Sequence, residues 1–300
     1  MFKAYIKLCI WGIITSVTFG LSWAQRKEIV IVLDPGHGGK DPGKDTKTPG
    51  MKHEKDINLK VALKLGKYLS DLQGVRVIYT RTEDVFISLE DRVYIANTNK
   101  ADYFISLHCN SNPNKKVFGT KTHIHSHYFK TSRELALRIE KEFATRAGRT
   151  SGGVQSAYDR GENLYVVQYT NMPSVLIEMG FLSNPKEEKF LNSERGQDII
   201  ASAIFRAVRD FIHREEIPTE DRSTVYRVQV KASVAPLDGG DKIFSSLGMK
   251  VEEIQVDSGV FRYKYVVGRE YDRSSAQKLL EKVHKKGIKD AFIIEVKEKQ

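Results

Sequence analysis

From residue 28 onward the apolar positions follow two alternating rhythms. Residues 29–33 (IVIVL) are an unbroken aliphatic run, the pattern of a strand buried on both faces of a parallel sheet. After a Gly- and Pro-rich loop at 34–43 (DPGHGGKDPG), Ile57, Val61, Leu65 and Leu69 recur one helical turn apart. The same reading predicts a strand over 75–80, a helix over 87–97 and a buried strand over 103–107 that runs into His108. It continues with an extended segment over 117–127, a helix over 132–147, a short strand over 174–178 and a long amphipathic helix over 193–214. Strands alternating with helices predict an α/β domain over 26–215, with a mostly parallel sheet flanked by helices. In such sheets functional groups gather beyond the carboxyl ends of the strands. His37 and His108 each follow a predicted strand, Glu178 ends one and Glu54 opens a helix, so all four are expected on one rim.

The pattern changes after residue 215. Residues 216–224 (EIPTEDRST) are polar, carry a proline and lack apolar periodicity, which predicts a linker. Beyond it, 225–230, 241–247, 251–256, 261–267, 274–286 and 291–296 read as β-α-β-β-α-β. That order predicts a small ferredoxin-like α+β domain over 225–297.

Composition adds a compartment and a charge. Lys3 and Lys7 precede an apolar run over 8–21 that ends in Ser22-Trp23-Ala24, the pattern of a secretory signal peptide over 1–24. The run is short for a membrane span, although an uncleaved anchor is the alternative. The exported chain then keeps one cysteine, Cys109, and has no internal disulfide. The 300 residues, 40% of them apolar, suffice for two cores, which excludes disorder throughout. A formal net charge of +10 favours an anionic partner or surface without choosing one.

A catalytic zinc site needs about three nitrogen or carboxylate ligands and one open position. His37, Glu54 and His108 supply that set, and Glu178 is the candidate for proton transfer. Strand alternation puts His108 on one face with Ser106 and Asn110, and turns Cys109 to the other as a small buried residue. His53 lies about 100° around the helix from Glu54 and is read as a rim residue. His123, His125 and His127 share a strand face but spread over about 13 Å, too far to grip one ion, so a solvated or substrate-facing surface is expected. Arg81, Asp84 and Arg92 read as an ion pair bracing a helix. Asn184-Pro185 reads as a turn entering a helix, and Asn171 and Met172 as loop residues within reach of a substrate.

Taken together, LDPGHGGKDPG, HEKDINL, TRTEDVFISLEDRVYIAN, SLHCNSN and MPSVLIEMGFLSNP resemble the zinc-dependent N-acetylmuramoyl-L-alanine amidases over about residues 28–212. The resemblance implies zinc held by His37, Glu54 and His108, and catalysis by Glu178. It also implies cleavage of the amide between N-acetylmuramic acid and L-alanine in peptidoglycan, for wall remodelling and daughter-cell separation in the periplasm, with enrichment at the division site. The segment YRVQVKAS at 226–233 is similar to SPOR domains, which implies binding of glycan strands stripped of stem peptides. It departs from them at Ala232, where a glycine is common. Gln229, Phe261, Tyr263 and Tyr265 are the candidate sugar face, with a plain core face as the alternative. An exported zinc peptidase and a non-catalytic wall-binding protein are the competing readings; nucleic acid is not an expected partner. Sixty-nine residues separate His108 from Glu178, which leaves no room for the plug helix of regulated relatives.

Overall fold

The aliphatic run at the start of the pattern becomes β1 (Ile29–Pro35), the second strand of a six-stranded sheet. In chain order the remaining elements of this unit are α1 (Glu54–Ser70), β2 (Val75–Tyr79), α2 (Leu89–Thr98), β3 (Tyr103–Asn110) and β4 (Thr120–Ile124). They are followed by α3 (Lys130–Thr145), β5 (Ser151–Ser156), α4 (Ala157–Arg160), α5 (Tyr165–Tyr169), β6 (Ser174–Phe181), α6 (Pro185–Asn192) and α7 (Glu194–Ile212). The computed structural model describes residues 28–214, 224–237, 242–256 and 260–297; the expected signal peptide and nearly all of the expected linker lie outside them. Among the described residues, no helix is long and apolar enough to cross a membrane.

The strand order is β2-β1-β3-β6-β4-β5, and every pairing is parallel except β4 with β6. The mostly parallel sheet is thus as expected, but β5 was not. Its sequence, SGGVQS, carries two glycines and lies at the sheet edge, so it shows little of the apolar patterning that marks a strand. Helix starts follow local chemistry. Ser88 accepts from Asp91 N at the start of α2, which sets it two residues later than the periodicity suggests. Asn184 accepts from Lys186 N and Glu187 N with Pro185 at the first helical position, so the expected turn is a helix cap.

Strand alternation sorts the sheet into two faces. Ile31, Leu33, Ile105, Leu107, Cys109, Val175, Ile177 and Met179 form the larger core with apolar residues of α1, α3 and α7. Val30, Val32, Phe104 and Leu176 on the opposite face pack with Val93 and Ala96 of α2 and Val166 and Val167 of α5. These lie toward the amino ends of the strands. Toward the carboxyl ends the same face carries Asp34, Ser106, His108 and Glu178.

The second unit comprises β7 (Thr224–Ser233), α8 (Lys242–Leu247), β8 (Val251–Gln255), β9 (Tyr263–Glu270), α9 (Arg273–Lys285) and β10 (Phe292–Lys297). Its sheet is antiparallel throughout, in the order β10-β7-β9-β8. Val228, Val230, Tyr265 and Val267 form its core with Leu247 and Val283. The candidate sugar face is largely this core: Tyr265 is buried, its hydroxyl accepting from Leu237 N and donating to Glu253, and Tyr263 packs beside it. Gln229 is also buried, which leaves Phe261 exposed.

The two units are packed together. Arg269 donates to Gln168 O at 3.0 Å and to Asn171 Oδ1 at 3.3 Å, and the Tyr271 hydroxyl lies 3.4 Å from Gln168 O. The Tyr271 and Phe129 rings meet edge to face at 4.4 Å beside buried Val225. This docking bears on two expectations. His123 and His125 are buried, His125 against the Tyr271 ring, while His127 is exposed and pairs with Asp159 at 2.8 Å, so the histidine face is open to water only at its end. Met172 lies in the smaller core, and exposed Asn171 is held by Arg269 and Asn97. Tyr271→Ala should cost the junction about 3 kcal/mol, as for other buried aromatic truncations. Calorimetry of the full chain should then show the second unit melting separately and earlier; one transition at the wild-type temperature would contradict the docking.

Candidate active site

The rim is organised by a carboxylate at the end of an aliphatic strand. Asp34 is 1% exposed and pairs with Arg92 Nη1 at 2.6 Å, while Thr80 Oγ1 and Ser106 Oγ each donate to it at 2.7 Å. Burial opposes its charge, yet Arg92 and these hydroxyls hold its carboxyl below the usual range. Arg92 also donates to Pro35 O and His37 O, and Arg81 donates to Pro35 O, Gly36 O, Glu83 O and Lys55 O. The two arginines therefore clamp the backbone of the loop after β1. The expected pairing of Arg81, Asp84 and Arg92 is replaced: Arg92 pairs with Asp34, and Asp84 pairs with Lys55 at 2.7 Å and accepts from Gly39 N.

That clamp holds His37 at φ 61°, a left-handed conformation uncommon outside glycine. Its Nδ1 meets Asp41 Oδ2 at 2.7 Å, which aims Nε2 at Glu54 Oε1, 3.1 Å away. From β3, His108 Nδ1 approaches the same Glu54 oxygen at 3.1 Å. Close approach of the loop requires glycine here. A Cβ on Gly36 would come within 2.2 Å of the His108 ring, and one on Gly43 within 2.6 Å of Glu54 Oε2.

Glu54 opens α1 without a side-chain cap at His53, and its carboxylate is spent on the rim instead. Oε2 accepts from Lys44 N at 2.7 Å and Oε1 from Cys109 N at 2.9 Å. Burial opposes its ionisation, but the His108 and His37 contacts hold its carboxyl far below the usual range. His37 mirrors this: burial disfavours its charged form, yet Glu54 and Asp41 push it up to about 9. The Glu54 carboxylate thus favours positive charge on the groups around it.

Among the described residues, His37, Glu54 and His108 each offer a ligand atom, and these atoms all lie within 4.8 Å of one another. Two imidazoles and a carboxylate are a donor set that suits a catalytic zinc ion, and Asp41 behind His37 is the usual orienting partner. The residues fit the metal. His53 stands outside, paired with Asp45 at 2.9 Å.

Glu178 on β6 is the direct register partner of His108 on β3. Burial pushes its carboxyl up to about 7, His108 pulling it down and Glu54 pushing it up. Its Oε2 is buried without a hydrogen-bond partner among the described residues. A carboxyl that changes protonation near neutrality is suited to proton transfer. Cys109 lies on the other face, its thiol pushed well up by burial, and is chemically inert there.

The rim defines a class. The family model for N-acetylmuramoyl-L-alanine amidases matches residues 31–210, and the chain belongs to that family. The probable cell wall amidase LytH of Staphylococcus epidermidis is 34% identical over 192 residues, 64% of this chain and 61% of the relative, so the match spans about three fifths of that relative's length. The germination-specific N-acetylmuramoyl-L-alanine amidase of Bacillus subtilis is 32% identical over 205 residues, 64% of this chain and 83% of the relative. The crystal structure of N-acetylmuramoyl-L-alanine amidase from Clostridium difficile 630 superposes with a TM-score of 0.59 at 34% identity, covering 63% of this chain and 100% of that one.

Sequence reasoning found the three clustered residues and their neighbour but not Asp34 or Asp41. The available signal for Asp34 was a charged residue closing an otherwise aliphatic buried run. Asp34→Asn would leave Arg92 charged and unpaired in the interior, at a cost of about 3–5 kcal/mol. At roughly 2–4 °C per kcal/mol for a domain of this size, the melting temperature should fall by about 10 °C. A change below 2 °C would show that the pair does not anchor the rim.

Proposed function

We propose that this protein is an exported zinc amidase that hydrolyses the bond between N-acetylmuramic acid and L-alanine in peptidoglycan, for wall remodelling and cell separation. One observation carries the reading: Glu178, with a free buried oxygen, lies in register with His108 beside the converging His37, Glu54 and His108. Zinc held by those three residues would supply a Lewis acid and lower the pKa of a bound water. The chain's residues do the rest. Asp41 accepts from His37 Nδ1, which fixes the tautomer that leaves Nε2 as a ligand. Glu178 takes the proton of the attacking water and returns it to the alanine nitrogen as the amide breaks.

Family membership favours this amide over one within the stem peptide, since the metal chemistry is indifferent to which amide is presented. The four competent residues speak against a wall-binding protein without activity. The signal-peptide pattern and the cell-wall relatives support a periplasmic or wall location, with the division site as the proposed place of action. The SPOR-like unit is proposed to bind stripped glycan strands, with exposed Val260, Phe261 and Phe292 as its free apolar surface, a role that sedimentation of the chain with such strands checks. The short connection between His108 and Glu178 supports activity without an added activator.

Two variants separate the metal from the proton. His108→Ala should lose zinc and turnover together. Glu178→Gln should keep its zinc and melting temperature while turnover on muropeptides falls roughly a hundredfold or more. Full zinc occupancy in the first, or near-normal turnover in the second, would overturn the assignments.

A further inference from the structure

Along the buried stripe of α1, Ile57, Val61, Ala62, Leu65 and Leu69 pack into the larger core, and two polar residues, Glu54 and Asn58, share that stripe one turn apart. Glu54 belongs to the metal cluster. Asn58 does not, yet it has no exposed surface. Asparagine is a poor helix former, and a buried amide left unpaired costs about 1–3 kcal/mol. Its place on an apolar stripe therefore requires specific partners.

Those partners come from three separate elements. Asn58 Nδ2 lies 3.4 Å from Gly36 O in the loop after β1 and 3.4 Å from Glu54 Oε1 on its own helix. On its other side, Asn58 Oδ1 lies 3.6 Å from Cys109 Sγ on β3. Gly36 immediately precedes His37, Glu54 is itself in the cluster, and Cys109 immediately follows His108. One amide thus touches the segment that carries each of the three clustered residues.

The orientation of the amide is fixed by chemistry. A carbonyl and a carboxylate oxygen only accept, so the amide nitrogen must face them, and the thiol donates to the amide oxygen. The opposite flip would set oxygen against two oxygens. The two contacts of the nitrogen are long, so they supply direction more than strength. Direction is what a flexible glutamate needs: Lys44 N fixes Glu54 Oε2, while Cys109 N and Asn58 Nδ2 converge on Oε1.

Resting on the zinc reading of the site, we propose that Asn58 is a positioning residue for the metal cluster, its amide locking the Glu54 carboxylate to the carbonyl of the residue before His37. It acts through Glu54 and the loop after β1. With Asn58 in place, both ligands meet the ion already oriented; without it, each must be ordered when the ion binds. Partners of this kind contribute about tenfold to a hundredfold in metal affinity.

The role is tested on the full chain by zinc affinity in competition with a chelator, the visible spectrum of the cobalt-loaded chain and the melting temperature of the metal-free chain. Asn58→Ala should weaken zinc binding by about tenfold to a hundredfold and shift the cobalt bands. The metal-free variant should still fold, because Gly36 O keeps Arg81 Nη2 as a donor at 2.9 Å and Glu54 Oε1 keeps Cys109 N at 2.9 Å. Asn58→Leu, which restores a branched shape without polar atoms, carries the same expectation should the alanine variant unfold. Val61→Ala, a core truncation on the same stripe, should lower the melting temperature yet leave zinc affinity within about twofold of the wild type. An unchanged zinc affinity in a folded Asn58 variant, or an equal loss in Val61→Ala, would overturn the positioning role alone. A wild-type chain that binds no zinc would overturn the zinc reading and this role with it.

Discussion

A carboxylate enclosed in a sheet must be paired, and in this chain Asp34 meets that requirement with Arg92, Thr80 and Ser106. Removing two charges from water costs several kcal/mol per ion, so the pair survives only with good geometry and further hydrogen bonds. Its consequence is positional. Once Arg92 is fixed by Asp34, its remaining donors grip Pro35 O and His37 O, and Arg81 grips the neighbouring carbonyls. A loop rich in glycine, otherwise free to move, becomes a rigid bracket that holds His37 in a left-handed conformation against Glu54.

The rest of the rim follows from strand periodicity. Because side chains alternate, the face that buries Val30, Val32, Phe104 and Leu176 near the amino ends of the strands presents Asp34, His108 and Glu178 near their carboxyl ends. The same alternation continues onto β4, where Lys121 lies beside Glu178 and His123 beside Leu176. One geometric rule therefore orders the apolar cover, Asp34, His108, Glu178 and Lys121 along a single face. The C-terminal unit extends this arrangement, since Arg269 and Tyr271 hold the α5 segment that helps cover the apolar half of that face.

The site was legible because its residues stand at predictable breaks: two histidines just after aliphatic strands, a glutamate at a helix start and another at a strand end. The fold class was legible for the same reason. What escaped lacked such a signature. Asp34 and Asp41 read as ordinary loop acids, because their partners lie far along the chain or depend on how the loop bends. The edge strand β5, with two glycines, has no apolar rhythm to detect. Interface and core look alike in sequence, which is why His125 was expected to face solvent or substrate, and Gln229 and Tyr265 to face either sugar or core; all three are buried. Alternation shows that a strand has two faces and leaves open what covers each.

The central claim is that two histidines and a glutamate hold a metal that acts, with Glu178, on one amide of peptidoglycan. Mass spectrometry of purified sacculi digested with the chain lacking residues 1–24, with and without a chelator, tests it most directly. The account predicts intact stem peptides beginning at L-alanine, whole glycan strands carrying free lactyl groups, and loss of both products on chelation. Fragments that leave part of the peptide on muramic acid, or release that persists after the metal is removed, would contradict it.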